Sequence, residues 1–302
     1  MLVKIMPVIV HIGYPKTATT WFQQRFFPHI ENYSYISYSR VNRIFLYSDF
    51  FDFDPKKTRE ELLVESKNGN LLLSSEFLTT AINFGWHHGY YAAGVAQKIH
   101  ETFPEAQIVI FIRRQQSLIC SAYQQYIKNG GTYSFNRWLY SGEVFCLEHL
   151  QYDRLLDYYD KLFGINRVKF FLYEDFRNDN VFFLSNFKNE YSLKINLDDI
   201  NFSPINVGLR KYSVPLLKII NHFYKKPVGR KRYIFHVPGM TSLGRAVYKF
   251  LNPIPIFGNY LTESYFLKSK DKEKLHDFYC ESNRRLARRV GLERLNHHGY
   301  YL

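Results

Sequence analysis

Hydrophobic residues in this chain gather into short unbroken runs separated by longer stretches of helical spacing. Val8-Ile-Val-His-Ile12 is one such run, rich in β-branched residues and ended by Gly13. A pattern of this kind predicts a parallel strand buried on both faces. Leu71–Leu73, Ile108–Ile112 and Val168–Tyr173 repeat it. Between these runs, Thr19–Phe27, Gly89–Thr102, Gln116–Lys128 and His149–Phe163 read as helices, with Pro104, Gly130-Gly131 and Gly164 marking ends. Strands alternating with helices predict an α/β fold, a mostly parallel central sheet with helices on both faces. After about Asn201 the pattern changes. Leu209–Phe223 reads as a helix, Lys225–Arg232 as a basic, turn-rich segment and Asn252–Ile256 as a loop. Asp271–Val290 reads as a long helix with Arg284, Arg285, Arg288 and Arg289 late in it, where cations suit the helix dipole. No repeat at solenoid periods is visible. The expectation is one domain over 1–302, with a core of about 1–200 and a variable helical cap of about 201–302.

The 302 residues suffice for a large core, and the balance of 46% hydrophobic and 22% charged residues is ordinary. Aromatic residues reach 18%, which fits either grooves for flat or sugar-like ligands or compositional drift. The formal net charge of +13 draws anions to the surface. Zinc-finger spacings and a ribonucleoprotein-type aromatic motif are missing, so nucleic acid is not the expected partner and an anionic small molecule is. Cys120, Cys146 and Cys280 lie far apart without metal spacing and read as reduced thiols of a cytoplasmic chain. The N-terminal apolar run leads straight into a turn, as a core strand does and a signal peptide does not. No run reaches the length of a membrane span. Lys225–Arg232 and the apolar stretch after it add an expectation of peripheral membrane contact.

Gly13-Tyr-Pro-Lys-Thr-Ala-Thr-Thr-Trp21 joins the first strand to the first helix. Such a junction supplies backbone N–H groups and the positive end of a helix, which together bind anions. Lys16 adds a point charge and the threonines add hydroxyls. The Walker pattern is different, because it places Gly directly before the Lys. The segment closely resembles the 5′-phosphosulfate loop of sulfotransferases that use 3′-phosphoadenosine-5′-phosphosulfate (PAPS), roughly Pro-Lys-Ser/Thr-Gly-Thr-Thr-Trp. The resemblance implies a P-loop-like fold. It also implies that Lys16 contacts the 5′-phosphate and bridging oxygen, that Thr17, Thr19 and Thr20 cradle the phosphate, and that Trp21 lies near the adenine. Ala18 replaces the family's usual Gly. Alanine tolerates positive φ poorly, so the sequence allows either ordinary φ at this position or a distorted loop.

The resemblance also implies a second phosphate site. Arg113 ends the third predicted strand and Ser121 follows eight residues later on a helix, the spacing at which the family holds the 3′-phosphate. Arg offers a planar, permanently charged fork, and Ser117 lies one turn before Ser121. Arg114 is the neighbouring alternative, a surface charge at a strand end. Leu172-Tyr-Glu-Asp-Phe176 resembles a family motif that brings Tyr173 to the adenine, and a core aromatic is the other reading. Glu281–Ala287 with Gly299-Tyr300 resembles the tail of bacterial members, in a structural role.

Sulfuryl transfer needs a base for the acceptor's proton. Glu76 follows the run that begins at Leu71, at the sheet edge where open α/β folds bind ligands. Glycan-modifying members often carry Glu there, so the resemblance implies Glu76 as the base, and a cap of the next helix is the other reading of it. His87 and His88 are the competing bases. The implied reaction uses no metal, takes PAPS as donor and releases 3′,5′-bisphosphoadenosine (PAP). The implied acceptor is a hydroxyl or amine, on a glycan or glycolipid. The competing functions are a P-loop-type nucleotide kinase or other phosphotransferase, and a non-catalytic nucleotide-binding protein.

Overall fold

The computed structural model describes residues 7–66, 69–79, 91–203, 205, 207–223 and 234–302. His87, His88 and the basic segment Lys225–Arg232 lie outside the described residues.

Five strands form one parallel sheet: β1 (Val8–His11), β2 (Ser34–Ile36), β3 (Leu71–Ser74), β4 (Gln107–Ile112) and β5 (Val168–Leu172). Their order across the sheet is β2-β3-β1-β4-β5. Every residue of β1 and β3 is buried, as their continuous apolar runs require. The β2 edge strand is an addition to the sequence reading. It has three residues, Ser-Tyr-Ile, and two of them are only half-buried.

The chain divides into two compact units. The first comprises Met1–Thr80, Tyr90–Arg113 and Tyr152–Ile205, and the second Ala81–Gly89, Arg114–Gln151 and Asn206–Leu302. In the first unit, alternation along each strand sends Ile9, Leu72, Val109 and Phe111 to one face. There they meet Trp21, Phe22, Phe26 and Phe27 from the segment after β1, and Phe183 and Phe187 from a helix Asn180–Glu190. Phe22 and Phe111 meet edge to face at 4.7 Å, a favourable geometry for the ring quadrupoles. Part of the high aromatic content is therefore core. On the other face, helix Tyr152–Phe163 packs on β4 and β5, and helix Ala92–Thr102 packs on it in turn.

In the second unit, helix Gln115–Lys128 is almost wholly buried. The long helix Ser269–Val290 and the C-terminal tail are tied to it. Gln115 donates to Asn283 Oδ1 (2.7 Å), Gln116 donates to the Gly299 carbonyl (2.7 Å), and Asn283 donates to the Tyr301 carbonyl (2.8 Å). These buried amide bonds give the tail residues a structural role.

Candidate active site

Strand order reverses around β1, whose neighbours are β3 and β4. Ligands of open α/β sheets bind beyond the carboxyl ends of strands at such a point. The first unit places its sequence-predicted site residues there. Lys16 follows β1, Glu76 follows β3, Arg113 follows β4, and Tyr173 begins the helix Tyr173–Asn178 directly after β5.

The loop after β1 leaves the sheet late. Tyr14 N–H still bonds the Phe111 carbonyl at 2.9 Å. Gly13 is needed because a Cβ there would lie 2.8 Å from His11 Nε2 and 3.1 Å from Phe111 Cβ. The buried Thr17 hydroxyl then donates to the Tyr14 carbonyl, which closes the turn. Lys16 has φ 72° and Ala18 has φ 64°, both left-handed. Ala18 thus takes the conformation that a glycine would, at a cost of about 1–2 kcal/mol for its Cβ. Left-handed residues set among right-handed ones turn successive N–H groups to one side, as anion-binding concavities do. Ala18 is also the N-cap of the following helix, and its carbonyl accepts from Trp21 and Phe22 N–H. No side-chain hydrogen bond caps this helix start.

Arg113 holds the loop from the side. Its guanidinium donates to the Lys16 carbonyl at 2.9 Å and lies 4.5 Å from the centre of the Tyr173 ring. Burial lowers the Lys16 ammonium from 10.5 to about 8. That value already includes the nearby Arg113 charge, which adds to the lowering, and Glu76, which acts in the opposite sense. Two cations and one carboxylate therefore share a poorly solvated place, with positive charge in excess. An arrangement of this sign favours an anion.

Glu76 opens a short turn, Glu76–Leu78, but the cap is Ser75, whose Oγ accepts from Phe77 N–H. Glu76 is thereby released from the capping role. Its Oε2 accepts from Gln23 Nε2 at 2.9 Å. Gln23 Nε2 also lies 3.2 Å from Ser74 Oγ, which in turn is 2.8 Å from His11 Nδ1. Burial lowers the His11 imidazole to about 3, so it is neutral. The chain His11–Ser74–Gln23–Glu76 crosses from β1 to β3 and fixes the carboxylate. Sequence reasoning missed Gln23, Ser74 and His11, because no motif marks them.

Trp21 is buried with Phe26 and Phe202 stacked near it, and its indole N–H donates to the Asn201 carbonyl at 3.2 Å. It anchors the loop segment in the core. Thr19 is buried and Thr20 half-buried. Ser121 belongs to the second unit, half-buried on helix Gln115–Lys128, with Ser117 buried one turn before it. Arg114 pairs with Glu263 in that same unit, and the two adjacent arginines thus have different tasks.

No protein-family model matches the chain, and no curated protein does. Among solved structures, the chain is similar to a sulfotransferase from Alicyclobacillus acidocaldarius. The two share 15% sequence identity over 94% of this chain and 85% of that one, with a TM-score of 0.45.

Proposed function

We propose that this protein is a sulfotransferase that moves a sulfuryl group from PAPS to a hydroxyl or amine, on a glycan or glycolipid. The observation that carries this reading is the meeting of Lys16 and Arg113 at the left-handed loop after β1, with Glu76 at the adjacent strand end. When bound, the donor supplies a sulfur–oxygen bond to a 5′-phosphate, which breaks as the bond from acceptor oxygen or nitrogen to sulfur forms. Lys16 and the loop N–H groups offset the charge that develops on the leaving phosphate. Glu76 takes the acceptor's proton, and Gln23 holds the carboxylate in one orientation for it. Arg113 reads the 3′-phosphate. The chemistry asks the protein only to position groups and balance charge.

The test is Glu76→Gln in a transfer assay with PAPS and a panel of glycan and glycolipid acceptors, run beside His87→Asn and His88→Asn. Glutamine keeps the bond to Gln23 available but cannot take a proton, so turnover should fall by about 10²–10⁴ while PAP still binds. Near-normal turnover in Glu76→Gln with a dead histidine variant would move the base to that histidine. Transfer from ATP but not from PAPS would replace the reading with a phosphotransferase.

A further inference from the structure

Between Asp199 and Glu263 the chain contains ten Lys and Arg and no acidic residue. This stretch carries most of the net charge, and the second unit combines it with outward-facing apolar side chains. Helix Ser213–Asn221 buries Val214, Leu217 and Ile220. Tyr212, Pro215, Leu216 and Ile219, spaced three, one and three apart, form a stripe on its other side. Tyr212 is 54% exposed and Ile219 59%. An ordinary surface helix would turn charged residues outward here.

The next helical segment has the same character. Met240–Ala246 continues through Val247–Leu251, burying Gly244 and Val247 while Leu243 and Phe250 stay exposed, seven residues apart. It packs on the first helix, and a Cβ at Gly244 would sit 3.6 Å from Ile220 Cγ2. The chain then returns to the start of that first helix, where Tyr212 N–H bonds the Phe257 carbonyl at 3.0 Å. This brings in Ile254 and Ile256, the latter 80% exposed.

Cations border the apolar groups closely. Lys211 Nζ lies 5.5 Å from the Tyr212 ring centre, Lys249 Nζ 5.4 Å from that of Phe250, and the Arg210 guanidinium 4.2 Å from that of Tyr260. The composition separates two classes of occupant. Protein interfaces are depleted of lysine at their centres. A bilayer with anionic headgroups wants apolar and aromatic side chains for the acyl boundary and lysines for the phosphates beside them. Among the described residues, no helix is long and apolar enough to cross a membrane, so contact would stay at the surface.

We propose that this face of the second unit docks on an anionic lipid bilayer. Ile219, Phe250 and Ile256 enter the headgroup–acyl boundary, and Lys211 and Lys249 meet the lipid phosphates. The proposal is independent of the chemistry assigned to the first unit. It is tested by flotation of the full chain with vesicles of phosphatidylcholine alone, and of phosphatidylcholine mixed with phosphatidylglycerol. The protein should float with the anionic vesicles only, and less as salt rises. Ile219→Asp with Ile256→Asp should lower vesicle binding more than about tenfold without changing the far-ultraviolet spectrum or the unfolding midpoint, because both side chains are exposed. Lys211→Glu with Lys249→Glu should lower it about fivefold for each cation lost. Absence of flotation, or an Asp variant that floats like wild type, overturns the proposal. So does a wild-type dimer, seen by light scattering, that ignores vesicles and becomes monomeric in the Asp variant. In that case the occupant is a second copy of the chain.

Discussion

Replacing Lys16 with Met should stabilise the free protein while weakening the anion binding proposed for it. Met keeps the unbranched stem and removes the charge. Burial, reinforced by Arg113, brings the Lys16 ammonium from 10.5 to about 8, with Glu76 pulling the other way. At about 1.4 kcal/mol per pH unit, that drop sets a ceiling of about 3.5 kcal/mol on what the folded state loses by holding the charge. Lys16 keeps some solvent access, and screening reduces the expected gain to about 1–2 kcal/mol. The pH dependence carries a definite sign. Below about pH 8, Lys16 is protonated in both folded and unfolded chains, and the whole cost is present. Between about pH 8 and 10.5, the folded chain gives up the proton and the unfolded chain keeps it, so wild-type stability rises relative to the variant. The advantage of Lys16→Met should be largest at neutral pH and shrink above about pH 8. Urea unfolding of both proteins at a neutral and two alkaline pH values measures this directly. The same variant should bind PAP about ten- to a hundredfold more weakly, the worth of one charge-assisted phosphate contact. A variant less stable than wild type at neutral pH, or an advantage that does not change with pH, would refute the reasoning.

Two further changes probe the loop and the carboxylate. Gln23→Ala removes the donor to Glu76 and Ser74. It should cost about 1–3 kcal/mol of stability and lower turnover with little change in PAP affinity, and restored turnover in Gln23→Met, which refills the volume without a donor, would point to mere cavity effects instead. Ala18→Val places a β-branched side chain at φ 64° and should destabilise by more than about 2 kcal/mol. Ala18→Gly should stay within about 1 kcal/mol of wild type, because relief of strain is offset by a freer unfolded chain and a lost methyl contact. Equal stability of the Val and Gly variants in urea would mean that the left-handed conformation is not required.

β1, β3 and β4 were readable because strands buried on both faces become nearly unbroken apolar runs, as in Val8–His11 and Leu71–Ser74, whereas the edge strand β5 was readable from its apolar residues although Lys169 is exposed and Phe170 and Phe171 are half-buried. The edge strand Ser34–Ile36 was not, since three residues, two of them half-exposed, carry no such run. The helix boundary after β5 moved as well. Tyr173 reads as the end of a strand but begins a helix, because its backbone follows Leu172 out of the sheet. At the loop, the strand-to-helix junction with Lys16 and the threonines gave the expectation of an anion site, yet the φ of Ala18 could not be read from residue type. Alanine is the wrong residue for the conformation it adopts, and only the surrounding bonds hold it there. The local choice at Glu76 was also open until Ser75 proved to be the cap. Gln23 was invisible for a different reason: its partners Ser74 and Glu76 are 51 and 53 residues away in the chain.

Calorimetry with PAP and with AMP, on wild type and on Arg113→Ala, bears most directly on the proposed donor. Arg113 is fixed against the Lys16 carbonyl and the Tyr173 ring, and a 3′-phosphate within its reach gains a charge-assisted contact of about 1.5–3 kcal/mol. Wild type should therefore bind PAP about ten- to a hundredfold more tightly than AMP, and Arg113→Ala should narrow that ratio while Arg114→Ala leaves it largely intact. Equal affinity of the wild-type protein for PAP and AMP would contradict a PAPS-dependent site.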